Sequence, residues 1–150
     1  MTYIGAETQQ VARAAAALPA AGAWDAAPVE MYCCYAQRVT LYFTYTRGGA
    51  GGAFDFQVQV SPYSLDTLAP AGAQAWTVMS LYDSGGVAAG VDSQSRAQRE
   101  YITYQATGAA VEAFVYGPIE MAHVERLRVR ARESGAVGAP GTLQIEAVYA

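Results

Sequence analysis

Every second side chain is apolar in the run RVTLYFTYT, residues 38–46. Val39, Leu41, Phe43 and Tyr45 fall on one side, and Thr40, Tyr42, Thr44 and Thr46 on the other. The run FDFQVQV repeats the period, with Phe54, Phe56, Val58 and Val60 facing inward and Asp55, Gln57 and Gln59 facing outward. A period of two is that of a half-buried strand, because successive side chains of an extended chain point to opposite faces. The intervening RGGAGGA is rich in glycine, which accepts the positive φ of tight turns. The pattern therefore predicts an antiparallel hairpin, ended by Pro62.

The same period continues in both directions. VEMYCCYAQ, AWTVMSLYDSGG, REYITYQATG, AVEAFVYGP and LQIEAVYA each read as strand material bounded by turn residues, with a turn at Ser84 to Gly86. HVERLRVRARESG carries charge enough for a helix. Its alternation, with Leu127, Val129 and Ala131 against Arg126, Arg128, Arg130 and Arg132, favours a strand. About eight strands with no helical crossover predict an all-β fold, a two-sheet antiparallel β-sandwich of jelly-roll type over residues 29–150. Residues 1–28 differ. They are alanine-rich, with Pro19 and Pro28 as stops, and form an N-terminal arm that is partly helical or extended. Gln9 to Leu18 is the helical candidate, packed on its own domain or on a neighbouring subunit. A helix this short is marginal by itself.

Composition narrows the class. The chain of 150 residues is 53% hydrophobic and only 15% charged, with a net charge of −4 and no lysine. The negative balance argues against nucleic acid as a partner. No basic, apolar leader opens the sequence and no run approaches a bilayer-spanning length, so a soluble chain made in the cytoplasm with no membrane partner is expected. Cys33 and Cys34 are adjacent, and on a strand they point to opposite faces, so both are expected as free thiols.

Chemistry is scarce. His123 is the one histidine, and no G-x-S-x-G elbow accompanies it. Cys33, Cys34 and His123 are too few for a zinc site. Asp55, Asp66, Asp83, Asp92, Glu112, Glu120, Glu125 and Glu146 form no recognisable catalytic pair. The glycine run joins two strands, whereas a phosphate loop opens a helix. GGVAAGVDSQS lacks the dense acids of a calcium loop. The expectation is a protein without catalysis, cofactor or metal. Its candidate partner contacts are the arginine stripe Arg126, Arg128, Arg130 and Arg132, and the tyrosines Tyr42, Tyr101, Tyr104 and Tyr116. The stripe reads either as cross-strand pairing with acids such as Glu146 or Asp55, or as a docking surface for an acidic partner.

The phrase RVTLYFTYTRGGAGGAFDFQVQVSP, a later tryptophan, and LRVRARESG followed by PGTLQIEAVY resemble head decoration proteins and other small all-β virion proteins of tailed bacteriophages. The resemblance runs from Arg38 to the C-terminus. It implies a non-enzymatic virion structural subunit on the capsid surface, a homo-oligomer, trimer favoured, that binds the major capsid protein. The pattern also resembles discoidin-like carbohydrate-binding sandwiches, although SPYS stands where those carry SPDG. That resemblance implies a glycan-binding module of a phage tail or cell surface.

Overall fold

The computed structural model describes residues 8–33, 36–82, 98–108 and 110–150. Cys34, Asp83, Asp92, the expected turn at Ser84 to Gly86 and the run GGVAAGVDSQS lie outside them. The strands are β1 (Thr8–Ala17), β2 (Met31–Tyr32), β3 (Arg38–Thr46), β4 (Ala53–Ser61), β5 (Thr77–Val78), β6 (Leu81–Tyr82), β7 (Gln98–Arg99), β8 (Ile102–Gln105), β9 (Val111–Glu120), β10 (Arg126–Glu133) and β11 (Thr142–Tyr149). One short 3-10 turn, Asp66–Leu68, interrupts the loop after β4. No helix among the described residues is long and apolar enough to cross a membrane.

Two antiparallel sheets pack face to face. One has the order β1-β11-β3-β9, and the other has β2-β10-β4-β5 with β8 also on β4. Setting aside β5, β6 and β7, which belong to the β4–β8 connection, first pairs with last, second with second-last, third with third-last, and the middle two with each other. That nested pairing is the jelly-roll order. It bears out the all-β sandwich expected from the two-residue period.

The expected hairpin of β3 and β4 is not formed. β3 pairs with β11 and β9, and β4 pairs with β10, β8 and β5, so residues 47–52 cross from one sheet to the other. The reason is burial. On β4 both faces are covered, and Asp55, Gln57 and Gln59, expected to face water, are only 3%, 7% and 8% exposed. A strand with both faces covered sits in the middle of its sheet, and β4 fills that place beneath the arginines of β10.

The glycines of the crossing serve close approach. Gly48 lies against Ala139 and Pro140, and Gly135 against Gly51 and Ala53, too near for any Cβ. Gly51 alone in this crossing has a positive φ, +72°.

In the alanine-rich run the extended alternative is the one realised. Residues 8–17 are a strand, not a helix, and pair with β11 from Thr8 against Tyr149 to Ala17 against Thr142. Only Ala12 of its apolar residues is buried, together with Leu18 just beyond. Backbone hydrogen bonds to an otherwise unpaired edge of β11 outweigh alanine's helical preference, because the helix had little apolar area to bury.

The core between the sheets is aromatic at its centre. Phe43 stacks on Phe56 at 4.5 Å and on Phe54 at 5.5 Å, and Tyr104 on Phe114 at 4.6 Å. Val39, Leu41, Val58, Leu127, Val129, Leu143 and Ile145 complete it, all essentially inaccessible to water.

Candidate contact surfaces

Three connections cross between the sheets at one end: 47–52, 106–110 and 134–141. Glu133, the last residue of β10, ties two of them together. Its Oε1 accepts from the Tyr45 hydroxyl (2.7 Å) and Gly141 N (2.8 Å), and its Oε2 from Ala53 N (3.0 Å) and Gly135 N (3.2 Å). Burial alone raises its pKa. The donors, Tyr45 first and then the three backbone N–H groups, outweigh burial and hold it below the ordinary 4.5. Glu112 serves the third crossing, accepting from Thr107 N, Thr107 Oγ1 and the Tyr104 hydroxyl. These carboxylates fix the loops. Among the described residues no cluster of three or more His, Cys, Asp or Glu side chains could hold a metal. His123 sits exposed in the turn after β9 with φ of 64°.

The arginine stripe lies on the outer face of the β10-containing sheet, as its alternation requires. Arg126 is 2% exposed. It binds Asp66 (2.6 Å), Glu30 (3.0 Å) and the Tyr63 carbonyl, with Trp76 4.7 Å from its guanidinium. The hydrogen bond from Arg126 holds the Asp66 carboxyl below its ordinary pKa. Arg128 lies under the same Trp76 at 4.1 Å and donates to Gln59 Oε1. Arg130 donates to the Asp25 carbonyl, with Trp24 at 6.0 Å. Arg132 binds Asp55 (2.8 Å) beneath Trp24 (4.2 Å) and Tyr101 (5.0 Å). Of the acids expected to answer the stripe, Asp55 does so. Glu146 belongs to the other sheet, where it accepts from Gln9 and Gln144.

The four tyrosines separate. Tyr42 stands on the outer face of β3, 45% exposed, and Tyr101 lies on the opposite side of the molecule, 40% exposed, edge-on to Trp24. Tyr104 and Tyr116 pack inward against Phe114 and Phe56, Tyr116 buried and Tyr104 half-buried. Trp24, Trp76, Asp25 and Glu133 were not singled out by the pattern. Glu133 was legible, since it follows Leu127, Val129 and Ala131 on the inward parity. The tryptophans lie in loops, where parity says nothing.

The outer face of the β1-β11-β3-β9 sheet is the contrasting surface. Across it run Val11, Glu146, Tyr42 and Val115 in register, flanked by Thr40, Thr44, Thr46, Ala113, Gln144 and Val111. Val11, Val111 and Val115 are exposed. Apart from the Arg38–Glu120 pair at one end, Glu146 is the one charged side chain among the described residues of this face. No family model matches the sequence, and no curated protein or solved structure matches it either.

Proposed function

We propose that the protein is a non-enzymatic virion structural subunit, a capsid decoration protein that stabilises a phage head by contacts with sister copies and with the major capsid protein. The observation that carries the reading is the charge-poor outer face of the β1-β11-β3-β9 sheet. The face is polar through threonine and glutamine, as an antiparallel sheet facing water is. Its exposed Val11, Tyr42, Val111 and Val115 and its single central carboxylate nevertheless leave it poor in charge, and the centres of interfaces are depleted of charged residues. Four strands of eight residues cover roughly 27 Å by 19 Å, or on the order of 500 Å². A specific interface takes about 800 Å² from each partner, so a closed oligomer would use this face together with a sheet edge. A near-neutral face also lets sister copies meet with little like-charge repulsion. By analogy of fold alone, jelly rolls serve in viral capsids.

Lectins share that fold, which keeps a glycan-binding module as the second reading. Sugar stacking needs a free aromatic face. Trp76 has Arg126 and Arg128 against one side and Trp24 has Arg132, while Tyr101 meets Trp24 at 66°, so Trp24 and Tyr101 share no common plane on which a sugar could lie.

Mass spectrometry of gradient-purified particles from the source tests the proposal. The chain is expected in stoichiometric amount in the capsid band. Its absence from particles that carry the major capsid protein would overturn the reading.

A further inference from the structure

The four guanidinium groups on β10 are not alike. The outer two are neutralised, Arg126 by Glu30 and Asp66, and Arg132 by Asp55. The inner two, Arg128 and Arg130, form no ion pair among the described residues. Each uses only its Nε within the chain, toward Gln59 Oε1 and the Asp25 carbonyl. Their terminal nitrogens donate to no acceptor among the described residues. Both side chains are only half-buried.

Trp76 covers the flat face of the Arg128 guanidinium at 4.1 Å, and Trp24 flanks Arg130 at 6.0 Å. Stacking on an indole leaves the in-plane N–H edge of a guanidinium open. That edge matches paired oxygens of a carboxylate or phosphate. Side chains two residues apart on a strand stand about 6 to 7 Å apart, close enough for one oxyanion to take N–H groups from both. Burial and then the Arg130 charge push the Arg128 pKa down, a strain that a bound anion relieves.

We propose that Arg128 and Arg130, set between Trp76 and Trp24, bind a single oxyanionic group, the carboxylate of an acidic peptide segment on a partner protein. The flanking acids set its size. A continuous phosphate backbone laid along the stripe meets Glu30 and Asp66 at one end and Asp55 at the other, whereas one carboxylate fits the middle. The site lies on the opposite face from the charge-poor sheet and does not depend on the capsid reading.

The test is nuclear magnetic resonance of the full chain, following arginine side-chain Nε–Hε signals at low salt. The probes are a short peptide carrying one Glu between neutral residues, inorganic phosphate and a single-stranded oligonucleotide. The peptide is expected to bind saturably and to shift the Arg128 and Arg130 signals most, leaving Arg38 unmoved, with phosphate competing at the same two signals. R128Q and R130Q should each weaken the peptide by about tenfold or more, while R38Q binds as the wild type does. Should R128Q fail to fold, R130Q and the wild-type shift map decide. Unmoved Arg128 and Arg130 signals, undiminished affinity in R130Q, or an oligonucleotide bound more tightly than the peptide would each overturn the proposal.

Discussion

Glu133 is the residue on which one end of the sandwich depends. Four donors converge on its two oxygens from both crossings and from β3. In Glu133→Gln an amide N–H2 faces two of those donors, and a buried donor left without an acceptor costs about 1–3 kcal/mol each. A loss of about 2–4 kcal/mol in urea unfolding is expected. Because the folded pKa is held below the ordinary 4.5, this contribution is present above that value and is lost as pH falls through the folded one. The acid limb of the stability profile should therefore flatten in the variant.

Tyr149 presents the opposite case. Its hydroxyl is buried with no hydrogen-bond partner among the described residues, and burial drives its pKa upward. Tyr149→Phe should leave stability unchanged or raise it by up to about 1 kcal/mol, read as the shift in unfolding midpoint.

At the level of elements, parity along the chain sorted inside from outside and failed to sort one sheet from the other. Val39, Leu41, Phe43, Tyr45, Phe54, Phe56 and Val58 were placed on the core side, and they are there. What alternation does not encode is whether a glycine-rich link closes a hairpin within a sheet or arches across the core. The difference lies in the partners: β4 is central because Gln57 and Gln59 are covered by the Arg130 and Arg128 strand beside them. Parity likewise assigned the arginines to an outer face but not the tryptophans that cover them. For the alanine run the sequence left helix and extended chain both open because propensity is local, whereas the vacant edge of β11 that selects the strand is a property of the assembled sheet.

The arch makes its own prediction. In Gly135→Ala the new Cβ would lie 2.6 Å from Ala53 N and nearer still to the Gly51 carbonyl. Overpacking of this kind costs about 1–3 kcal/mol, whereas Gly138→Ala, with open space around it, should be near neutral. Paired denaturation curves distinguish the two.

At the scale of the whole molecule the two broad faces are unlike. One is a lattice of arginine, tryptophan and acid that largely satisfies itself. The other is a sheet of threonine, valine and tyrosine with a single carboxylate in its middle. A chain with 53% hydrophobic residues and 15% charged ones concentrates its scarcity of charge on that second face. Tyr42 and Val115 are cross-strand neighbours there, and their side chains point away from the core. Charging both should leave the fold intact and remove the contact.

Sedimentation equilibrium tests that claim most directly. The wild-type chain should sediment at a multiple of 15.8 kDa, and the Tyr42→Asp/Val115→Asp double variant should fall back to the single-chain mass while keeping its β-sheet circular dichroism. A wild-type chain that remains at the single-chain mass at every concentration, or a charged variant that keeps the oligomeric mass, would contradict the account.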